Sequence, residues 1–300
     1  MQKKYIIYGL TLCVIVIWSF NVVINRYVID YISPLSMSFY RWFVALIILT
    51  PFLIFRLPTH KTQVIQHLPQ LAVLSFLGMF LSQGLAYIAA KYTLATNMGF
   101  INALLPVVTM LMAFLILKTK PSKTNILGSC ICLFGLVYML QQGNLGHLFG
   151  GMLWQGNALM LSAISAYALY CVLLKAWSIT LPLWVSLYIQ IALVTLYHVP
   201  LISLFGLDAW TAENTWCILY AGVLTSAIAP WLWMNSVDHI GPTQTSSFMN
   251  LLPIFTACIA TLWLDEQWTI YHTLGGGLVL LGTLLAQLQA KRSYPSIQTS

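Results

Sequence analysis

The chain has 300 residues, of which 60% are hydrophobic and only 6% are charged, and its mean hydropathy is +0.85. A soluble globular protein has about a quarter of its residues charged, so this composition excludes a surface that faces water and predicts one that faces lipid. The net charge of +7 would suggest nucleic acid as a partner of a soluble protein, but here the basic residues lie in short loops between apolar runs, where they indicate membrane topology instead.

Long apolar runs divide the chain into predicted membrane helices. Runs of about 18 or more apolar residues are typical of transmembrane helices. Ten such runs follow one another: 5–24, 34–55, 68–90, 94–117, 124–140, 152–174, 182–205, 214–236, 243–264 and 270–289. The first is longer than the apolar part of a signal peptide, so we expect an uncleaved span. Residues 293–300 are polar and are predicted to form a disordered tail.

The basic residues determine the predicted orientation. Ten spans place both ends of the chain on one side of the membrane, and only Arg26 and Lys91 flank the spans on the opposite side. The side of the termini has ten basic residues: Lys3, Lys4, Arg56, Lys61, Lys118, Lys120, Lys123, Lys175, Lys291 and Arg292. Because basic loops are retained in the cytoplasm, both termini are predicted to be cytoplasmic.

The second half of the chain repeats the first. The sequence Leu-Leu-Pro that ends at Pro106 recurs at Pro253, 253 − 106 = 147 positions later. Two copies of such a unit, residues 5–142 and 152–289, fill nearly the whole chain. Five spans in each copy is an odd number, which turns the second copy upside down relative to the first. The predicted fold is therefore an all-α membrane protein of ten transmembrane helices, arranged as two inverted five-helix repeats.

Several short motifs resemble those of a known family. They are Asn250-Leu251-Leu252-Pro253, Trp263-Leu264-Asp265-Glu266, Leu274-Gly275-Gly276 and Leu281-Gly282 in the second copy, and Trp18-Ser19-Phe20-Asn21 and Arg41 in the first. With them the chain resembles ten-helix members of the drug/metabolite transporter superfamily that have two EamA-type domains. It departs from the family pattern at Thr119, where the first copy lacks the acidic residue that Glu266 supplies in the second.

The resemblance implies a function in transport. Members of this family move small organic metabolites, and bacterial ones often export amino acids or related compounds. We therefore expect a multi-pass secondary transporter of the bacterial inner membrane that exports a small metabolite, such as an amino acid, by alternating access. The alternatives on the same fold are a flippase for lipids or lipid-linked sugars, and a permease for nucleotides or other solutes. The expected partners are the metabolite and the lipid bilayer, and the resemblance leaves both a monomer and a homodimer open.

Residue patterns that would support other chemistry are missing from the sequence. The six cysteines lack metal or redox spacing, and there is no HExxH motif, no acidic pair at mid-depth and no glycine-flanked nucleophilic serine. We therefore expect neither an enzyme nor a metal or other cofactor. No carboxylate lies in the middle of a predicted span, which argues against exchange of protons for a cationic substrate.

Arg41 is the one basic residue well inside a predicted span. It lies seven residues beyond Pro34, roughly 10 Å deep at 1.5 Å per residue. A charge at that depth is costly, so its side chain should face the bundle interior or a wet cavity. It is either a partner for a carboxylate or phosphate of the substrate, or a gate residue, or a structural arginine that binds backbone carbonyls.

Polar side chains at mid-depth are further candidates for binding the substrate. Asn102 lies eleven residues after Lys91 and Asn250 eleven after His239, so both are roughly 16 Å inside the membrane. The other candidates of this kind are Ser247, on one face with Asn250, Gln83 with Tyr87, and Trp18 with Asn21. Amides both donate and accept, which suits a neutral or zwitterionic ligand. The alternative role for these side chains is hydrogen bonding between helices.

Two aromatic residues complete the candidate site. Tyr167 and Trp231 lie within apolar runs and are predicted to stack on an amphipathic substrate. The alternative for any such aromatic residue is a place in the core or at the membrane interface.

Prolines and glycines have predicted mechanical roles. Pro106, Pro230 and Pro253 should kink their helices and act as gates. Four glycines form two pairs at the same offset of 147: Gly128 corresponds to Gly275, and Gly135 corresponds to Gly282. Because seven residues return to one helix face, these glycines should form smooth strips for close helix packing.

Overall fold

The computed structural model describes residues 2–118, 120–141, 152–240, 245 and 248–287. The predicted tail 293–300, Thr119 and Ser247 lie outside these residues. Within the described residues the regular secondary structure is entirely helical, as the composition predicts.

Seven α-helices precede the boundary between the two predicted copies. They are α1 (Gln2–Val28), α2 (Pro34–Leu53), α3 (Lys61–Ser75), α4 (Ser82–Ala89), α5 (Ala95–Asn102), α6 (Leu105–Leu117) and α7 (Lys123–Leu140). Among the described residues, six with stated bounds follow it: α8 (Met152–Trp177), α9 (Leu183–Phe205), α10 (Ala212–Leu219), α11 (Ala229–Ile240), α12 (Leu252–Trp263) and α13 (Ile270–Gln287). Serine side chains begin two of them, because Ser33 caps α2 and Ser122 forms a capping box with Asn125 at the start of α7.

These helices form a membrane fold. Seven continuous helical stretches are long and apolar enough to cross a membrane, two of them (Pro58–Ala89 and Ala212–Trp233) made of several helical segments, and α5 with α6, bent by 41°, makes an eighth candidate span. Phe248–Trp263 and Ile270–Ala286 are shorter apolar helices. The described part of the chain thus provides seven or eight candidate spans, and the count of ten stays a prediction. Helix ends differ from the predicted ones: α1 continues to Val28 instead of residue 24, and α8 to Trp177 instead of residue 174.

Two of the membrane helices contain a π-helical segment. Phe76–Leu81 joins α3 to α4, and Tyr220–Ile228 joins α10 to α11. The last six residues of the second segment correspond to the whole of the first at the repeat offset, since 76 + 147 = 223 and 81 + 147 = 228. A π segment widens the turn and displaces the side chains that follow it, and such segments are frequent at functional sites.

Pro106 and Pro253 lie at the beginning of a helix, whereas Pro230 lies within the continuous span Ala212–Trp233, directly after its π segment. Pro106 is the second residue of α6, Pro253 of α12 and Pro230 of α11. A proline in the first turn costs little, because the N–H that it lacks would have no partner inside the helix there. The chain bends by 41° before α6 and passes through the short 3₁₀ segment Phe248–Leu251 before α12, whereas before Pro230 the helix widens into the second π segment.

The repeat is also visible where α6 and α12 end. Lys118 follows α6 with a φ of 57°, and Asp265 lies just beyond α12 with a φ of 52°. The two positions are 265 − 118 = 147 residues apart. A left-handed residue ends a helix sharply, so both helices are terminated by the same backbone conformation.

The four repeated glycines bring α7 and α13 into direct backbone contact. A Cβ atom built on Gly128 would lie 2.6 Å from the carbonyl oxygen of Gly282, and one on Gly135 would lie 2.7 Å from that of Gly275. The Asn125 side chain donates a hydrogen bond to the carbonyl oxygen of Ala286 at one end of this contact. Small residues allow membrane helices to approach this closely, which increases their van der Waals contact.

The remaining helices interleave the two halves of the chain. α2 packs against α9, α5 against α12, α8 against α4 and α6, and α1 against α11 and α12. The main cluster of buried apolar side chains includes Met98, Leu104 and Leu136 from the first half and Met160 and Val279 from the second. The centre of the molecule is thus built from both halves.

Candidate functional site

A cavity of about 1160 Å³ lies between helices of the two halves. Its lining extends from Asn21 and Arg41 to Lys120, Ser122 and Ala286. The last three belong to the end of the bundle where α7 begins and α13 ends, which we call the near face. The far face is the opposite end, with the loops 206–211 and 264–269; no lining residue among those described comes from these two loops. The cavity thus reaches the near face and is closed toward the far face.

The described lining residues include two basic side chains and no acidic one. Arg41 lies deep in the cavity and Lys120 near the loop between α6 and α7. The charge of the described lining is therefore positive, and low-dielectric walls strengthen the field of such charges.

Arg41 is held by neutral partners. It is 4% exposed, and its Nε donates a hydrogen bond of 2.8 Å to Ser226 Oγ while Nη1 donates one of 3.0 Å to Gln83 Oε1. Nη1 also lies 3.5 Å from the Tyr87 hydroxyl. Ser226 belongs to the second π segment, and Gln83 follows the first. Both π segments thus position the guanidinium, and none of its partners among the described residues is a carboxylate.

Four buried polar atoms of side chains at the cavity have no hydrogen-bond partner among the described residues. They are Oδ1 of Asn21 and of Asn25, Oε1 of Gln190 and Nε1 of Trp42. Each of these side chains is more than nine-tenths buried and lines the cavity. A buried polar group without a partner costs roughly 1–3 kcal/mol, and four of the eight such atoms in the described residues belong to side chains of this lining.

Aromatic side chains form two groups along the cavity. Trp18 and Trp233 lie with ring centroids 5.2 Å apart, and Tyr167 stacks on Tyr170 at 5.3 Å. Tyr170 packs against Gly78 in the first π segment, where a Cβ atom would lie 2.6 Å from its ring. Indole and phenol rings combine a large apolar surface with one hydrogen-bonding atom, which suits an amphipathic ligand.

Most of the predicted site residues meet at this cavity. Those that line it are Trp18, Asn21, Arg41, Gln83, Asn102, Tyr167 and Asn250, together with Pro106 and Pro230. Tyr87 is fully buried behind the lining, where it contacts Arg41. Pro253 is buried and does not line the cavity, and Ser247 lies outside the described residues.

Trp231 does not line the cavity. Its side chain is 49% exposed on the outer surface of the bundle, whereas Trp233, two residues later, lines the cavity. Two residues rotate a helix by about 200°, so the two rings point to opposite sides. Sequence reasoning placed the wrong member of this pair in the site, because both are equally compatible with lipid and with a cavity wall.

Asn25, Gln190 and Trp42 were missed by the sequence analysis. Asn25 is four residues after Asn21 and therefore on the same face of α1. Gln190 is the one amide side chain in α9. Both signals were available in the sequence, since an amide within an apolar span is rare enough to be a candidate by itself.

Two carboxylates close the far face. Glu266, 9% exposed, accepts hydrogen bonds from the backbone N–H groups of Ala95 at 2.7 Å and Thr96 at 2.9 Å, at the start of α5. Asp208 accepts one of 2.6 Å from the N–H of Ser33, before α2. Hydrogen bonds from Ser33 hold the pKa of Asp208 below its ordinary value. A helix N-terminus favours a negative charge, which strengthens both contacts.

Stacked aromatic rings near α12 fill the space at the far face. Phe20 and Tyr27 on α1 each stack on Trp263, with centroids 4.9 and 5.0 Å apart. Trp216 on α10 contacts both Tyr27 and Trp263. These contacts join α1, α10 and α12 near the end of α12.

In a comparison with known proteins, one family model matches two separate parts of the chain. The model described as the EamA-like transporter family matches residues 5–141 and again residues 154–288. The two matches together cover most of the chain.

Individual relatives are more distant. The uncharacterized transporter YyaM of Bacillus subtilis is 27% identical over 271 residues, which cover 87% of each chain. An uncharacterized transporter of Archaeoglobus fulgidus is 23% identical over 95% of this chain and 97% of its own. The Arabidopsis thaliana protein WALLS ARE THIN 1 is 24% identical over 84% of this chain and 74% of its own. A solved crystal structure superposes with a TM-score of 0.66 over 97% of this chain and 98% of its own at 16% identity, a likeness that shows the fold alone.

Proposed function

Since the chain belongs to the EamA-like transporter family and is a membrane transporter rather than an enzyme, we propose that it exports a small metabolite, such as an amino acid, by alternating access. The observation that carries this proposal is the cavity of about 1160 Å³, which both halves of the chain line, with a buried arginine and unpaired amides. A site between two repeats near the middle of the membrane is the usual plan of secondary transporters.

The proposed architecture is ten spans in two inverted five-helix repeats, residues 5–142 and 152–289. The packing supports it, because contacts between helices of the two halves recur between the counterparts of those helices. α8 packs against α4 and α6 of the first half, and α1 packs against their counterparts α11 and α12 of the second. α2 with α9 and α7 with α13 are pairs of counterparts. This is the pattern that a two-fold axis between the halves produces.

We propose that both termini are cytoplasmic and that the membrane is the bacterial inner membrane. The near face is then cytoplasmic, in agreement with the basic residues Lys118, Lys120 and Lys123 around its loop. In this orientation the cavity faces the cytoplasm, from which an exported metabolite is loaded. The transport unit is a monomer or a homodimer.

The helix breaks are the proposed hinges. Pro106, Pro230 and Pro253 each follow a segment with irregular hydrogen bonding. Such a segment absorbs changes of backbone dihedral angle at lower cost than a continuous helix. Movement at these breaks would close the near face and separate α5 from α12 at the far face.

Purified protein in liposomes tests the proposal. A labelled amino acid mixture should move faster than through protein-free vesicles, and Arg41→Ala and Asn250→Ala should each lower the rate while the protein stays folded. Trp231→Ala is a suitable control, because this side chain is exposed on the outer surface. Equal rates in all variants would contradict the assignment of the site. Movement of fluorescent phospholipid instead of solute would support the flippase alternative.

A further inference from the structure

We infer that a groove on the outer surface of the bundle binds an acyl chain of a membrane phospholipid, and that this chain regulates transport through the cavity wall behind it. The groove has a volume of about 500 Å³ and is lined by Phe76 and Phe80 of the first π segment and by residues of α9 between Leu196 and Leu201. Among the described residues it shares no lining residue with the cavity that contains Arg41. The acyl-chain site is independent of the proposed function, whereas its regulatory role rests on it.

The first argument is the chemistry of the lining. Tyr197 is the one described lining residue whose side chain has a polar atom, and its hydroxyl donates a hydrogen bond of 3.0 Å to the carbonyl oxygen of Ala72. The Tyr197 ring packs against Phe76 and Phe80, with centroids 6.1 Å apart in both cases. An ion or a polar metabolite therefore finds no free side-chain partner in this part of the chain, whereas a hydrocarbon chain needs none.

The second argument is the position of the groove in the membrane. Both of its walls belong to candidate spans, Pro58–Ala89 and Leu183–Phe205. Leu196 lies 205 − 196 = 9 residues before the end of α9, roughly 14 Å from it at 1.5 Å per residue and so near the centre of a core about 30 Å thick. The groove therefore opens to the hydrocarbon of the leaflet at the far face. An empty groove would deprive its lining of van der Waals partners, and the surrounding acyl chains supply them.

The third argument is that the groove and the cavity have a common wall, the first π segment. Phe76 and Phe80 of this segment line the groove, whereas Gly78 and Met79 line the cavity. Gln83, which accepts a hydrogen bond from the cavity arginine, is the second residue of the helix that follows. Irregular hydrogen bonding makes a π segment easier to displace than a continuous α-helix. An acyl chain that packs on one side of this wall therefore influences the side chains on the other.

Phe80 also connects the groove to the helix that carries Arg41. Its ring centroid lies 4.9 Å from that of the buried His198, and a hydrogen bond of 3.0 Å joins His198 Nε2 and Ser38 Oγ on α2. Ser38 is three residues before Arg41 and lies on the same helix face. Occupation of the groove and the arrangement of the cavity are therefore coupled, and such a coupling acts in both directions.

Photo-crosslinking tests the site without a known transport substrate. The protein is placed in vesicles of phosphatidylethanolamine and phosphatidylglycerol that contain a trace of phosphatidylethanolamine with a diazirine toward the methyl end of one acyl chain. After illumination, mass spectrometry should find the label concentrated on Phe76, Phe80 and residues 196–201. Leu196→Trp, which fills the groove, should reduce this label several-fold. Leu204→Trp is the matched control, because Leu204 is 75% exposed on the same helix and does not line the groove.

Two results would overturn the acyl-chain site. One is label spread evenly over the lipid-facing helices. The other is a disulfide that joins two copies of a Leu196→Cys variant, which would show that a second copy of the chain covers the groove.

Transport measurements then test the regulatory role. Release of a labelled amino acid mixture from proteoliposomes should be several-fold slower for Leu196→Trp than for Leu204→Trp. The physical reason is that a covalently fixed indole restricts Phe80 and the wall behind it, whereas an acyl chain exchanges with the bilayer. Equal rates in the two variants, with the groove label lost from the first, would overturn the regulatory role. No release by the unaltered protein above that from protein-free vesicles would contradict the proposed function, and the labelling pattern would still decide on the acyl-chain site.

Discussion

The carboxylate of Glu266 accepts a hydrogen bond of 2.7 Å from the backbone N–H of Ala95, and so joins the loop after α12 to the first turn of α5. The contact connects the two halves at the far face. The repeat offset of 147 maps Glu266 onto position 119 and Ala95 onto position 242. An equivalent contact on the near face would therefore pair residues 119 and 242. The residues there are Thr119, which has no carboxylate, and Pro242, which has no backbone N–H. The other far-face carboxylate, Asp208, corresponds to Lys61. The two halves therefore share their helices, but the carboxylates that join elements at the far face have no equivalents at the near face.

We expect Glu266→Gln to open the far face more often. The amide keeps the size of the side chain but removes its negative charge. The interaction of that charge with the N-terminus of α5 contributes roughly 1–2 kcal/mol at a buried site. Met98 is buried at the cavity in α5, so a Met98→Cys reporter should react several-fold faster with a thiol reagent from the far face when Glu266→Gln is present. Glu213→Gln, an exposed carboxylate at the start of α10, is the matched control. An unchanged labelling rate would show that Glu266 does not hold the far face closed.

Asp208→Asn should lower thermal stability in a pH-dependent manner. The pKa of Asp208 in the folded protein is below its ordinary value because of hydrogen bonds from Ser33. Its charged form therefore stabilises the fold fully above the ordinary aspartate pKa of about 3.9, and this contribution is lost as the pH falls through the lower folded-state pKa. The melting temperature in detergent should differ between the two proteins at neutral pH, and the difference should shrink below about pH 4. A difference that is constant with pH would indicate a purely steric effect.

Gly282→Ala should destabilise the protein, whereas Gly277→Ala in the same helix should not. A Cβ atom at Gly282 would lie 2.6 Å from the carbonyl oxygen of Gly128, but one at Gly277 would meet no heavy atom within 4 Å. Inserting a methyl group between two closely packed helices typically lowers the stability by about 1–3 kcal/mol. Alanine in place of an unconstrained helical glycine raises it by a few tenths of a kcal/mol or more. Thermal unfolding of the two variants measures this directly. Similar melting temperatures would show that α7 and α13 adjust without cost.

Replacement of Trp233 by alanine should slow transport several-fold, whereas replacement of Trp231 should not. Trp233 contacts Trp18 at the cavity, and Trp231 is exposed on the outer surface of the same helix. A cavity tryptophan offers a large contact area to an amphipathic substrate. Initial rates in proteoliposomes, corrected for the amount of protein inserted, compare the two variants. The opposite order of rates would contradict the orientation of α11.

Much of the fold could be read from the sequence because its signals are strong and local. Runs of apolar residues predict helices in lipid whatever their neighbours are, and the described part of the chain is helical with seven or eight candidate membrane spans. The resemblance to two EamA-type domains is confirmed by the matches at residues 5–141 and 154–288. Arg41 was found because a charge inside an apolar run is conspicuous, and it lines the cavity.

The faces of the helices could not be read in the same way. In a soluble protein the polar stripe of a helix shows which side faces water, but lipid is as apolar as the interior of a helix bundle. The sequence around Trp231 and Trp233 is therefore equally consistent with either ring at the cavity. The same ambiguity hid Trp42, which lines the cavity.

The sequence by itself determined that the chain is a membrane protein with an internal repeat of 147 residues and a deep arginine, because apolar length, periodic motifs and a buried charge are properties of single segments. Only the tertiary structure decided which side chains share the cavity, that Arg41 has neutral partners, and that Glu266 and Asp208 close the far face. These facts depend on contacts between segments more than a hundred residues apart, such as Arg41 with Ser226, and the rotation of each helix is set by packing against its neighbours.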